Sequence, residues 1–166
     1  IVAEEVITRT NKEYAPWIIV EAENKKFATI KILSTVAQAI EKKLQQIAAQ
    51  KDISATLSTV NDEEGEPKQE NSLSSFEATL LTPSILKNMN LLKTISDKKY
   101  NKQLDSLQKE FRELQYQLYS VRRPMVIVLE GQDAAGKGGC IKRLTQRLDR
   151  RGYQVTPTAA PNDWER

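Results

Sequence analysis

A glycine-rich loop between two different hydrophobic patterns constrains this chain more than any other feature. Residues 131–138 read Gly-Gln-Asp-Ala-Ala-Gly-Lys-Gly and match Gly-x-x-x-x-Gly-Lys, with Gly138 where Ser or Thr usually stands. The apolar run Met125–Leu129 before the loop indicates a buried strand, and the apolar residues of Ile141–Leu148 have helical spacing. The sequence therefore predicts a strand, a phosphate-binding loop and a helix, with a glycine-rich structural turn as the alternative.

The chemistry of such a loop depends on its backbone and on one lysine. Glycines let the loop curl so that successive N–H groups point inward, and the positive end of the next helix faces the same space. Lys137 adds a full positive charge there. The predicted phosphate-binding residues are Gly131, Ala134, Ala135, Gly136, Lys137, Gly138 and Gly139.

Asp133 is the candidate metal ligand of the loop. The Ser or Thr that Gly138 replaces normally holds a magnesium ion, so another oxygen has to take over that role. The Asp133 carboxylate lies four residues before Lys137, where it is placed to bind magnesium or to orient the phosphate of an acceptor. The alternative is that Asp133 only caps a turn or the start of the helix.

The absence of histidine from the 166 residues narrows the chemistry. It excludes His-based catalysis, and a single cysteine, Cys140, excludes an internal disulfide and multi-Cys zinc sites. Cys140 lies in the first helical turn, where its pKa can be lowered, although a small buried packing residue is the favoured interpretation. No apolar run has the length of a membrane span and no signal peptide is apparent, so we expect no membrane partner and a cytoplasmic location.

Charge is concentrated in the region of the loop. The net charge of +3 is too small to indicate nucleic acid, and we expect no nucleic-acid partner. The segment from Val121 to Arg151, however, contains eight basic residues and only three acidic ones. This segment suits a polyanion.

Two further strand-like runs and two amphipathic helices complete the pattern. Pro16–Val20 is an apolar run that predicts a buried strand, and spacings of three and four from Phe27 to about Ala49 predict the helix after it. Residues 153–158 predict another strand. Residues 52–84 are rich in Ser, Thr and acidic side chains without a lasting period, which indicates a linker between two folding units.

A helix is predicted to begin at Ser96, an N-cap residue followed by Asp97 in the first turn. Its apolar residues from Tyr100 to Leu118 alternate spacings of four and three, as in a heptad stripe. The stripe spans fewer than three heptads. Packing of the helix on its own domain is therefore favoured over an intermolecular coiled coil.

These residues together resemble a known family. The loop with its flanks, from Val126 through residues 141–145 and 151–155 to Pro161, closely resembles the opening of polyphosphate kinase type 2 catalytic domains. Ala15–Ala22, with Asn24-Lys25 and the helix after them, is similar to the closing strand and helix of the same kind of domain. This order, tail before head, resembles the domain junction of the tandem members, the polyphosphate:AMP phosphotransferases.

The resemblance implies an α/β fold, a P-loop kinase-like parallel sheet with flanking helices, present as parts of two such domains. Residues 1–50 would close a first domain, residues 51–90 would form a flexible linker, and residues 91–166 would open a second domain with its lead-in helix and loop. The family's Walker B and lid segments lie beyond Arg166. We therefore expect an internal fragment that is catalytically silent by itself and retains weak anion binding.

The resemblance also implies the reaction, which is phosphate transfer from inorganic polyphosphate to AMP with Mg²⁺ as cofactor. Asp133 and Lys137 carry over as the catalytic residues, with Asp133 as the metal ligand, whereas Gln132 departs from the family's usual arginine or tryptophan. Candidate polyphosphate contacts are Arg143, Arg147 and Arg151, with a solvated helix face as the alternative. The rival functions are an ATP-dependent P-loop nucleoside or small-molecule kinase and a non-catalytic assembly or binding segment. A homo-oligomer is left open.

Overall fold

The computed structural model describes residues 2–57 and 89–158 of the chain. This part is helical. Its elements are α1 (Val2–Thr10), α2 (Lys25–Leu57), α3 (Asp97–Ser120), α4 (Lys137–Thr145) and a short 3₁₀ turn at Arg150–Gly152. None of the helices described is long and apolar enough to cross a membrane.

Helices α2, α3 and α4 share one hydrophobic core. Leu33 at its centre is fully buried, and its buried neighbours are Ala37, Ile40, Phe111, Leu114 and Cys140. The buried positions of α2 and α3 recur at helical spacing, as burial of one face requires, and α4 contributes Cys140. The helix predicted to close a first domain thus packs against the helices predicted to open a second. The division into two domains stays a prediction.

Helix α3 forms as the sequence predicts. It begins at Asp97 directly after the extended residue Ser96, and its stripe faces inward: Tyr100, Phe111 and Leu114 are buried, and the leucines between and after them pack on the same core. Helix α3 therefore packs on its own chain, against α2 and α4. Because α2 was assigned to the first domain, packing of α3 within its own domain stays a prediction. The apolar stripe that a coiled coil would need is already covered.

The predicted parallel sheet is wrong for the part of the chain that the structure describes. The segments 16–20, 125–129 and 153–158 form no strands, and the only backbone bridge outside the helices joins Lys12 to Ala15 among the residues described. A parallel strand needs backbone partners in register, which a run of β-branched residues cannot itself supply. Val126 and Val128 are accordingly 85% and 74% exposed.

In the segment 16–20, side chains rather than a neighbouring strand provide hydrogen-bond partners for the backbone. The Trp17 backbone N–H donates to Asn11 Oδ1 at 2.8 Å, and the Ile19 carbonyl accepts from Lys31 Nζ at 2.8 Å. The Trp17 indole N–H also donates to Thr10 Oγ1 at 2.8 Å, which ties the segment to the end of α1. The α/β architecture that the apolar runs and the family resemblance imply is therefore wrong for the described residues, which are helical.

Helix α2 is longer than its hydrophobic period. The pattern predicts an end near Ala49, whereas the helix continues to Leu57. Half of the eight residues added are good helix formers (Gln50, Lys51, Ala55 and Leu57), which suffices to extend a helix that packing has already nucleated. Most of the predicted linker, residues 58–88, lies outside the described residues.

A buried carboxylate fastens the segment before α2 to the rest of the structure. Glu21 is 4% exposed and accepts hydrogen bonds from Lys31 Nζ on α2 and, at 2.9 Å, from Lys93 Nζ before α3. The Lys93 ammonium also lies 5.7 Å from the centre of the Phe27 ring. The hydrogen bond from Lys31 is the main cause that lowers the pKa of Glu21 to about 2, and the backbone and Lys93 add to it. Glu21 thus joins two parts of the chain that are distant in sequence.

We expect Glu21→Gln to lower the free energy of unfolding at neutral pH by about 2 kcal/mol, because the two ammonium groups lose their charged partner. The pKa of Glu21 is lower in the folded state than the ordinary 4.5, so its stabilisation is present above that pH and is lost as the pH falls toward 2. Urea denaturation of both proteins across this range should show the difference shrinking with acid. Glu23→Gln, which removes an exposed carboxylate nearby, is the control. Equal stability at neutral pH would contradict the structural role of Glu21.

Candidate phosphate-binding site

The loop between residue 130 and α4 is bent by backbone conformations that ordinary residues avoid. Gly136 caps α4 in the left-handed region with φ of 90°, and Ala134 has φ of 61°. Glycine adopts this region freely, whereas a residue with a Cβ is strained there. The Asp133 carboxylate accepts the Ala134 N–H at 2.8 Å, and the Ala135 N–H reaches the Gln132 carbonyl at 3.3 Å. These bonds hold the loop in one turn.

The bend leaves a row of backbone donors at the start of α4. The N–H groups of Lys137, Gly138 and Gly139 have no hydrogen-bond acceptor within residues 2–57 and 89–158, and the first helical bond is from Cys140 N to the Gly136 carbonyl. The first N–H groups of any helix lack such partners and carry the positive end of its dipole. Gly138 and Gly139 are exposed, so two of these three donors belong to residues at the surface of the described structure.

The side chain of Lys137 links the start of α4 to the first residues of the loop. Its ammonium donates to the carbonyl of Gly131 at 2.6 Å and to that of Gln132 at 2.8 Å. The side chain therefore spans the loop from the start of α4 back to the loop's first residues. The Lys137 ammonium therefore bonds to the loop's own backbone, and its role as a phosphate ligand stays a prediction.

Asp133 is exposed and has its side chain in the loop itself. One oxygen, Oδ1, accepts the Ala134 N–H, which is the hydrogen bond expected if this carboxylate caps the turn. The two roles are compatible because a carboxylate has a second oxygen. Among the residues described, no group of three or more acidic, histidine or cysteine side chains comes together as a metal site. The assignment of magnesium to Asp133 stays a prediction.

The three predicted polyphosphate contacts all have partners within the chain. Arg143 donates to the Gly139 carbonyl at 2.8 Å, Arg147 pairs with Asp105 of α3, and Arg151 pairs with Asp149 at 2.8 Å. Arg151 is the main cause that lowers the pKa of Asp149 to about 2. A contact of these arginines with polyphosphate would compete with the present bonds, and it stays a prediction.

Cys140 belongs to the core rather than to the reactive surface. It is 5% exposed, and burial raises the pKa of its thiol although the nearby Arg143 acts in the opposite direction. The buried packing role favoured by the sequence is confirmed.

Sequence reasoning missed one residue beside the loop. The side chain of Lys25, the first residue of α2, lies so close to Gly136 that a Cβ at Gly136 would be 3.9 Å from its Cγ and Cδ. No local motif marks this lysine as part of the site. Only the packing of α2 against α4 brings it there.

Comparison with known proteins identifies the family. The family model for polyphosphate kinase 2 matches residues 1–48 and 94–166, which include α1, most of α2, α3 and the whole loop. The chain belongs to the polyphosphate kinase 2 family. The family resemblance seen in the sequence is thereby confirmed.

Several members of the polyphosphate kinase 2 family are similar to this chain. A polyphosphate:AMP phosphotransferase of Pseudomonas aeruginosa is 31% identical over 98% of the chain, which covers 29% of that protein. An ADP-polyphosphate phosphotransferase of the same species is 46% identical over 43% of the chain and 23% of its own length. A polyphosphate:AMP phosphotransferase of Acinetobacter johnsonii is 54% identical over 26% of the chain and 9% of its own length. No solved structure matches.

The chain spans less than a third of the length of these relatives. The matches nevertheless include both sides of the region between α2 and α3. Because the chain covers so little of these relatives, the activity of the whole protein is proposed below.

Proposed function

We propose that the protein to which this chain belongs transfers the terminal phosphoryl group of inorganic polyphosphate to AMP. The proposal rests on the loop at α4, where three backbone N–H groups have no acceptor in the described residues and the Lys137 ammonium bonds to the loop carbonyls, in a chain of the polyphosphate kinase 2 family. The relatives named polyphosphate:AMP phosphotransferase that match nearly the whole chain support AMP as the acceptor.

In the proposed reaction an oxygen of the AMP phosphate attacks the terminal phosphorus of polyphosphate. A new P–O bond forms to give ADP, and the P–O bond to the remaining chain breaks, so that polyphosphate leaves one unit shorter. The transition state spreads negative charge over the oxygens of the transferred group, and fixed donors aimed at this charge stabilise it. The N–H groups of residues 137–139 and the Lys137 ammonium are the donors that this chain supplies.

Magnesium is proposed as the cofactor, and the residues present fit it. Mg²⁺ in phosphate-transferring sites is usually held by one or two carboxylates together with substrate phosphates and water. Asp133 supplies one exposed carboxylate within the loop, which also lacks the usual hydroxyl at Gly138. When bound, the ion neutralises charge on the transferring phosphates.

A donor and acceptor panel tests the proposal. The intact protein is incubated with magnesium and AMP, ADP or GDP, in the presence of polyphosphate or of ATP, and the nucleotides are separated by ion exchange. We expect ADP from AMP with polyphosphate as donor. The relatives named as ADP- and GDP-polyphosphate phosphotransferases make the other two acceptors the informative comparison. Product with ATP and none with polyphosphate would favour an ATP-dependent kinase instead.

A further inference from the structure

Lys25 places a second ammonium group next to the phosphate loop. Its Cγ and Cδ lie 3.9 Å from the position of a Cβ on Gly136, the residue that caps α4. Since two single bonds separate Cδ from Nζ, the ammonium lies within about 6.5 Å of that point. Lys137, in contrast, bonds to Gly131 and Gln132 at the start of the loop. The two lysines therefore approach the loop at its two ends.

Among the described residues, Lys25 differs from the other lysines around the start of α2 in having no hydrogen-bond or ion-pair partner. Lys26 pairs with Asp97, and Lys31 and Lys93 both pair with the buried Glu21. Lys25 is exposed and makes no ion pair or hydrogen bond through its side chain with any residue in the described ranges. Its charge is thus the one in this group that no carboxylate neutralises.

The start of α2 adds further positive potential beside the loop. Asn24 caps the helix by accepting the Phe27 N–H at 2.9 Å through its side chain, so α2 begins at Lys25 in a defined position. The first turn contains no acidic residue. The positive end of a second helix dipole therefore lies beside a loop that already presents the N–H groups of α4.

We propose that Lys25 is a further phosphate-binding residue of this site, and that it contacts the polyphosphate chain next to the phosphoryl group held by the loop. The inference rests on the proposed function. A linear polyanion extends beyond the three N–H groups at α4 and needs a cation at the edge of the loop, where Lys25 lies within reach. A flexible lysine stem suits a chain of repeating phosphates because it binds as a point charge, without fixed geometry.

Salt dependence is the readout that separates a phosphate contact from a structural role. A cation that neutralises a phosphate of a polyanion releases a condensed counterion, so the logarithm of affinity falls linearly with the logarithm of salt concentration. Loss of one contact reduces the magnitude of this slope by about 0.7 to 1. A residue that only packs against Gly136 would leave the slope unchanged.

The test measures the Kd of the intact protein for polyphosphate by calorimetry at several salt concentrations. Lys25→Ala should weaken binding roughly threefold to tenfold at low salt and reduce the slope by about one. Lys25→Arg keeps the charge and should restore both values. Lys42→Ala, which removes an exposed lysine farther along the same helix by about 26 Å, should match the wild type.

Two outcomes separate this inference from the proposed function. If the wild type forms ADP from polyphosphate and AMP but Lys25→Ala has the wild-type Kd and slope, Lys25 is not a phosphate ligand and the function stands. If the wild type neither binds polyphosphate nor forms ADP, the proposed function fails and the role of Lys25 fails with it. Melting temperatures should be equal for all four proteins because Lys25 is exposed and unpaired within the residues described. A melting temperature lowered only in Lys25→Ala, with an unchanged salt slope, would overturn the proposal in favour of packing.

Discussion

Lys137→Ala is expected to lower kcat/KM for phosphate transfer in the intact protein by roughly 10²–10³-fold, the range seen when one preorganised donor to a transition state is removed. The ammonium is the charge that the sequence places in the loop, and it also bonds to the carbonyls of Gly131 and Gln132. Its loss should weaken polyphosphate binding as well as turnover, because the same charge acts on ground state and transition state.

The control for this variant is Lys142→Ala. Lys142 is exposed on the same helix and has no partner in the described part of the chain, so its removal changes the net charge equally without touching the loop. Steady-state kinetics with polyphosphate varied at saturating AMP separates the effect on binding from that on turnover. Wild-type activity in Lys137→Ala would contradict the role assigned to the loop.

Asp133→Asn is expected to reduce kcat by about 10–100-fold and to raise the magnesium concentration needed for half-maximal rate. The substitution is informative because asparagine retains Oδ1. It can therefore still accept the Ala134 N–H that Asp133 accepts at 2.8 Å, while the charge is lost. The two interpretations of Asp133 thus predict different results.

If Asp133 only caps the turn, the asparagine variant keeps full activity and an unchanged magnesium response. If it binds the metal ion, activity falls although the turn is kept. Glu41→Gln, which neutralises an exposed carboxylate on α2 far from Lys25, is the matched control and should retain wild-type kinetics. Magnesium titrations of the three proteins decide between the interpretations.

Local sequence patterns predicted where the helices of this structure lie better than they predicted which elements pack together. The start of α3 at Asp97, its buried stripe and a loop that opens α4 follow from spacing, capping and glycine placement, which act over a few residues. The strands at 16–20 and 125–129 did not form, because strand formation depends on partners elsewhere in the chain. Hydrophobicity alone does not specify those partners.

The candidate site shows the same division. Lys137 and the glycines are adjacent in sequence, so the motif alone brought them together. Lys25 is beside Gly136 only because α2 packs on α4, and no spacing rule connects the two residues. The ion pair of Arg147 with Asp105 likewise depends on the packing of α3 against α4, so this predicted polyphosphate contact is already neutralised by a carboxylate. The cytoplasmic location and a homo-oligomer stay predictions.

The most direct test of the proposed reaction follows the transferred phosphate itself. Polyphosphate labelled with ³²P is incubated with unlabelled AMP, magnesium and the intact protein, and the nucleotides are resolved from polyphosphate by thin-layer chromatography. We expect label in ADP, confined to its β-phosphate, and we expect that formation of labelled ADP fails in Lys137→Ala and persists in Lys142→Ala. Unlabelled ADP, or no ADP from polyphosphate under conditions where ATP serves as donor, would contradict the proposed reaction.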